Sequence, residues 1–372
     1  MATLSVTRRQ ALSWRLRRQH LVAGAGGSPE VVRTLVAVSM FGSDPDLAVR
    51  RRLAAPGTPG EVQRALHDGR LLRTYSFRGS VQLMAPETAG AYLALRSAGR
   101  QWALRSWVEH YRLPADAWPD LRAVVRDVVA AGPVAPQVVA DELAGIDRFA
   151  HLAREFAEPN HTFLKPFAWQ GDLVLGPDLD GPLALQSPAD CPAWAGIPDL
   201  DEAGHRAVLD YLGAYGPAAP DHLHHWLGGG LSAGRTRIDR WWREVSDQLV
   251  EVDVEGEPRW LRADHAAQLA DADPQTHVAL LPGKDDWVMG PGTKDEWVVP
   301  AEHRTSMTRG ASPVVVDGVV AGTWRRDGDA VEVTCSLEGD ALAALELEVD
   351  RLSGLLGADL SLRPPSGCTA AR

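Results

Sequence analysis

The sequence predicts a mostly α protein with small β-sheets, an α+β chain of three tandem winged helix-turn-helix units and a C-terminal β-rich domain. Three observations predict it. The stretch from Arg122 recurs without a gap from Arg206: Gly132-Pro133 and Pro136 match Gly216-Pro217 and Pro220, and the match runs on to Leu143 and Leu227. Each copy reads as an apolar helix, a Gly-Pro stop and a second helix, which is a helix-turn-helix pattern. Ahead of both copies, helical patterns give way to two strand-like runs, Leu71–Phe77 and Ser80–Met84, around Arg78-Gly79. Beyond His277 the character turns to short apolar strand-like runs. Two modules in register make a nucleic-acid binder the leading class.

The elements follow in order. Leu4–His20 carries a helical pattern, and Gly24–Pro29 breaks it. Ser28 is a suitable N-cap for the apolar helix Glu30–Met40. Phe41–Pro45 interrupts, Asp46–Ala54 resumes helically, and Glu61–Asp68 is a short helix. With the hairpin these make a first, divergent unit over residues 1–112. A second unit, 113–196, begins its helices at Trp118. Its expected hairpin is Leu164–Trp169 with Leu173–Leu175, and 176–199 is an irregular connection. The third, 197–266, has helices from Glu202 and Arg235 and a wing of Leu249–Val254 with Arg259–Leu261. In both repeats the glycine is expected to close its helix in a left-handed C′ conformation. Pro136 and Pro220 then fall in the first turn of the next helix, where proline is tolerated. In 267–372, Val278–Leu281, Val314–Val316, Val319–Val320, Thr323–Arg325 and Ala330–Thr334 read as strands. Asp317-Gly318 is a type I′ turn, and Asp340–Leu356 is an amphipathic closing helix.

Composition narrows the class further. A chain of 372 residues exceeds one typical core. No apolar run approaches the roughly 18 residues of a membrane span. The first ten residues are polar and basic with no apolar segment after them, so no secretory signal is read. Cys191, Cys335 and Cys368 are far apart, which argues against a zinc or disulfide framework and for a reducing cytoplasm. The net charge is −11, which opposes indiscriminate DNA binding. Met1–Arg78, however, holds thirteen Arg against five acids, a local +8. Arg50, Arg51 and Arg52 stand out as candidate phosphate contacts, with solvated helix faces as the alternative. Asp221, His222, His224 and His225 lack metal-ligand spacing, so no metal and no cofactor are expected.

Taken together, the chain resembles the winged-helix family of AlkZ- and YcaQ-type DNA glycosylases. The landmarks are Arg78–Met84, which resembles that family's RGTLHLV hairpin, and Tyr215-Gly216-Pro217. Two more are Leu280–Gly283 with Asp285, and Val316–Gly318 through Gly322–Trp324. The resemblance implies a C-shaped clamp on double-stranded DNA and hydrolysis of the N-glycosidic bond of alkylated purines or crosslinked bases. It also implies a water-orienting Gln-x-Gln or Gln-x-Asp pair in the loop after the Glu30–Met40 helix. Here that loop is Ser39–Pro45 and has no glutamine. It is similar instead to a branch with a His-Ala-Thr-Asp-Pro loop, with Phe41 in place of the histidine.

The resemblance makes Asp44 the expected water-activating residue and Ser43 its partner. Against this, Asp44 before Pro45 is also a helix N-cap, and Ser43 a turn hydroxyl. Phe41 is a core residue or a wedge that stacks on bases. Arg78 and Gln82, on the hairpin, are expected to touch phosphate and base edges, with ordinary wing packing as the alternative. Asp285 lines a cleft or pairs with Lys284 or Arg325. The expected protein is a monomeric cytoplasmic glycosylase acting on duplex DNA. A catalytically inactive lesion binder is the rival reading, and a transcription regulator ranks below both.

Overall fold

Thr7 divides what reads as one N-terminal helix. In the computed structural model, which describes residues 4–55, 57–158, 162–177, 183–228 and 233–363, Leu4–Val6 is a strand and Arg8–Arg18 the helix. The Thr7 side chain accepts from Gln10 N at 3.1 Å, capping that helix. Cys368 and residues 178–182 of the irregular connection lie outside the described residues. The chain forms two compact units. One comprises Met1–Val62, Val208–Trp226 and Trp242–Arg372; the other comprises Gln63–Ala207 and Leu227–Trp241.

In the first unit, Leu4–Val6 runs parallel to Leu249–Val254, which pairs antiparallel with Glu257–Arg262. The hairpin expected over Leu249–Leu261 is therefore present, widened by an N-terminal strand. Val6, Ala11, Trp14, Val252, Val254 and Leu261 bury together around it. A larger sheet follows the order Ser361–Arg363, Ala330–Val333, Val319–Asp327, Ser312–Val316, Val278–Leu280. Its side chains alternate between faces, as pleating requires. Val278, Leu280 and Val314 meet Leu345, Val349 and Leu352 of the Gly339–Leu356 helix. Ala279, Leu281 and Val315 meet Leu12, Leu16 and Trp287 on the other side. Asp317 (φ 49°) and Gly318 (φ 90°) both take the positive φ that the expected hairpin turn needs.

In the second unit, Leu72–Tyr75 and Val81–Met84 form the expected antiparallel hairpin. Val174–Leu175 pairs beside it and carries Leu185–Gln186. The first repeat folds as Trp118–Val129 and Pro136–Ala144. Leu121, Val125 and Val129 on the former bury with Val139 and Leu143 on the latter. The expected strand Leu164–Trp169 is instead helical over Lys165–Trp169, with Pro166 in its first turn. Phe163, Leu164, Phe167, Ala168 and Trp169 are all buried. A short apolar run buried all round carries no period that separates helix from strand.

The second repeat gives helices Leu200–Tyr215 and Pro220–Trp226. Its Gly216 differs from the expectation: Gly132 has φ 113°, but Gly216 has no positive φ and precedes a cis proline. Glycine is needed at 216 for space, since a Cβ there would lie 2.4 Å from the Leu212 carbonyl oxygen. The helix expected over Glu30–Met40 runs only Ser28–Leu35, with Gly27 at its N-cap. The Ser28 hydroxyl donates to Glu61 Oε1 at 2.7 Å, and the cap position belongs to Gly27. After it, Val38–Ser39 is extended.

Candidate active site on the Ser39–Pro45 loop

The loop lies in the first unit and is held from within and from below. Its far end is the helix Pro45–Arg50, whose N-cap is Asp44: Oδ1 accepts from Leu47 N at 2.9 Å. Pro45 occupies the first helical position, where a missing N–H costs nothing. The Ser43 hydroxyl donates to the Ser39 carbonyl oxygen and closes the loop on itself. Gly42 adopts φ 65°, and a Cβ there would come within 2.7 Å of Lys284 Nζ. That ammonium also sits 4.5 Å from the centroid of the Phe41 ring, within cation–π range. Phe41 is nevertheless 70% exposed, and the Asp44 carboxylate is exposed.

Below the loop lies a buried polar floor. Ser39 N donates to Asp286 Oδ2 at 3.2 Å. Asp285 Oδ1 accepts from Trp287 N at 2.8 Å, capping the helix Asp286–Met289. Arg52 meets the same carboxylate with both terminal nitrogens, at 2.8 and 2.7 Å. Neither side chain of this pair has any exposure. Burial alone would lower the Arg52 pKa; the charges of Asp285 and Asp286 outweigh it and raise the value. The Tyr215 hydroxyl donates to the Leu35 carbonyl at 3.0 Å, and burial holds its pKa well above the ordinary tyrosine value.

This geometry corrects several expectations. Arg50, Arg51 and Arg52 are buried, at 2%, 1% and 0% exposure, and do not form a phosphate-facing surface. Each is neutralised inside the unit: Arg50 by Asp46 at 3.5 Å, Arg51 by Glu348, Arg52 by Asp285. They sit at the C-terminal end of the Pro45–Arg50 helix on its inward side. Asp285 accordingly lines no cleft, and its partner is neither Lys284 nor Arg325. In the second unit Gln82 is 5% exposed, with its Oε1 accepting from the Ser76 hydroxyl across the hairpin, so it reads no base edge here. Arg78 sits in the hairpin turn with φ 67° and is partly exposed.

Sequence reasoning placed Ser43, Asp44 and Phe41 on one loop, and they are together. It gave no role at the loop to Lys284 and Asp286. Both reach it from some 240 residues away in sequence, and only the Pro282-Gly283 turn ahead of them hinted at a special segment. Among the described residues no group of three His, Cys, Asp or Glu could hold a metal ion, which includes His222, His224 and His225. No helix among them is long and apolar enough to cross a membrane. The loop thus offers an anchored carboxylate, an exposed ring and an ammonium side by side. Those groups can orient water, stack on a planar base and meet a phosphate.

Comparison with known proteins places the fold and the loop in context. The family described as DNA glycosylase AlkZ-like matches residues 34–355. An interstrand DNA cross-link repair glycosylase of Streptomyces sahachiroi is 34% identical over 324 residues, covering 85% of this chain and 87% of that protein. The solved structure of Streptomyces sahachiroi DNA glycosylase AlkZ superposes with a TM-score of 0.88 at 30% identity. That match covers 97% of this chain and 100% of the other. A match of this extent, with the mixed helix-and-strand fold that accompanies it, makes the chain a member of the AlkZ-like DNA glycosylase family.

Proposed function

We propose that this protein is a monofunctional DNA glycosylase that hydrolyses the N-glycosidic bond of alkylated purines or crosslinked bases in duplex DNA. Water attacks C1′ of the damaged nucleotide, the bond to the base breaks, and the base departs with the bonding electrons. A cationic alkylated purine leaves as a neutral base, so little acid catalysis is needed. The demand is for a group that orients water and stabilises positive charge on the sugar. Asp44 takes this role, and the attacking water's proton passes to it or to solvent. Ser43 shapes the loop through Ser39, and Phe41 stacks beside the extruded nucleotide. No cofactor or metal is called for, and the protein acts as a cytoplasmic monomer.

The observation that carries this reading is the exposed Asp44 carboxylate, fixed in place by its own capping bond. The cap uses Oδ1, and Oδ2 lies outside that bond. Two helix pairs and the Leu249–Arg262 and Leu72–Met84 hairpins are elements that winged units would use, and the C-shaped clamp on duplex DNA is what the family resemblance implies.

A duplex carrying N7-methylguanine, incubated with the protein and then cleaved with alkali at abasic sites, tests the activity. Asp44→Asn keeps the shape and caps about as well. It should retain fold and DNA binding while losing excision by at least about tenfold, or about 1.4 kcal/mol of barrier. Undiminished excision by Asp44→Asn would exclude the mechanism. Two observations favour the rival reading of a non-catalytic lesion binder: no glutamine stands in the loop, and Asp44 already serves as an N-cap. Absence of excision by the unmutated protein across alkylated and crosslinked duplexes would select it.

A further inference from the structure

The second unit carries a cationic feature outside the loop. Lys165 and Trp169 stand four residues apart on the helix Lys165–Trp169 and so share one face. The Arg96 guanidinium, from the helix Pro86–Ser97, lies 3.9 Å above the Trp169 ring. Lys165 Nζ lies 5.4 Å above the ring of Tyr75, on the first strand of the hairpin. Two cations, each backed by an aromatic ring, therefore meet on one helix face beside the hairpin.

The hairpin turn comes close as well. A side chain added at Gly79 would lie 3.8 Å from Arg96 Nη2. Arg96 Nη2 also donates to Gln101 Oε1 at 2.8 Å, which fixes the guanidinium edge-on to the turn. Burial lowers the Lys165 pKa, and the charge of Arg96 lowers it further. Two like charges held together against burial favour an anion between or beside them.

We propose that Lys165, which is partly exposed, is the DNA-facing arm of a phosphodiester-binding clamp at the base of the Leu72–Met84 hairpin, with Arg96, only 8% exposed, as its buried electrostatic support. The aromatic rings fix the cations in place, so little side-chain freedom is lost on binding. This clamp rests on the duplex-DNA reading of the family.

The test measures duplex binding by fluorescence anisotropy across a salt series, with the full-length chain. Lys165→Gln and Lys165→Met remove the charge, and Met keeps the apolar stem on Tyr75. Thermal melting confirms folding. Both variants should bind about fivefold to tenfold more weakly near 0.1 M salt, with the slope of log affinity against log salt smaller by about 0.9. Lys165→Arg should restore both. A wild-type slope and affinity in a folded charge-free variant, while the unmutated protein binds in a salt-dependent way, would overturn the clamp and leave the DNA reading standing. An unmutated protein with no salt-dependent affinity for any duplex would overturn both.

Discussion

Changing Arg52 to Ala separates a structural role from a DNA-contacting one. The side chain is fully buried, takes both oxygens of Asp285 and donates a further bond to the Ala48 carbonyl at 2.9 Å. Its removal leaves the Asp285 carboxylate buried with, among the described residues, the Trp287 N–H as its remaining hydrogen-bond donor. Stripping one member from a buried pair costs about 3–5 kcal/mol, because the remaining charge stays desolvated. A domain of this size loses roughly 2–4 °C per kcal/mol, so the melting temperature should fall on the order of 10 °C. Differential scanning calorimetry reads this directly. Replacing both partners, Arg52→Met with Asp285→Leu, should recover most of the loss, since no orphan charge remains. The same proteins are then titrated with duplex DNA. If Arg52→Ala melted like the unmutated protein and instead flattened the salt dependence of DNA binding, the buried-pair reasoning would fail.

Three further outcomes are expected. Asp44→Asn should separate excision from binding, as set out above, with the alkali-cleavage assay as readout. Phe41→Ala should leave the unfolding free energy within about 0.5 kcal/mol of the original, since an exposed ring supports little packing, while weakening binding to lesion duplex; a large drop in stability would make the ring structural. Acidification should destabilise the fold between pH 6.5 and 4. Burial, then the charges of Arg51 and Arg351, pushes the His277 imidazole down to about 4, and burial pushes His265 to about 4. The unfolded chain binds protons at these histidines first, so stability present above pH 6.5 is lost as pH falls towards 4. For His277 the loss is at most about 3 kcal/mol. Denaturant midpoints that stay flat across this window would contradict it.

The repeat, the Leu72–Met84 and Leu249–Arg262 hairpins and the C-terminal sheet were legible because each rests on local chemistry. Gly-Pro stops, a proline in the first helical turn and alternating valines act within a few residues of themselves. The errors fall where a distant partner decides. Leu4–Val6 is a strand because Leu249–Val254 offers it an edge. Lys165–Trp169 is a helix whose Pro166, Phe167, Ala168 and Trp169 are all buried, so no apolar period marked it as one. The loop itself was legible through Asp44-Pro45, a local cap, but its supports Lys284 and Asp286 were not.

The arginines show the same divide most sharply. Counting charge along Met1–Arg78 gives a surplus that looks like a surface facing phosphate. The structure turns Arg15, Arg50, Arg51 and Arg52 inward, and the acids that neutralise Arg51 and Arg52 come from the far end of the chain. A linear charge count cannot register a pair made across more than 200 residues. The cations left to face DNA must then be sought by exposure and by their backing. On that criterion the partly exposed, aromatic-backed Lys165 and the turn residue Arg78 outrank the Arg50–Arg52 run, although neither stands in an arginine run of the sequence. Their substitution should change the salt dependence of duplex binding, whereas substitution within the run should change stability.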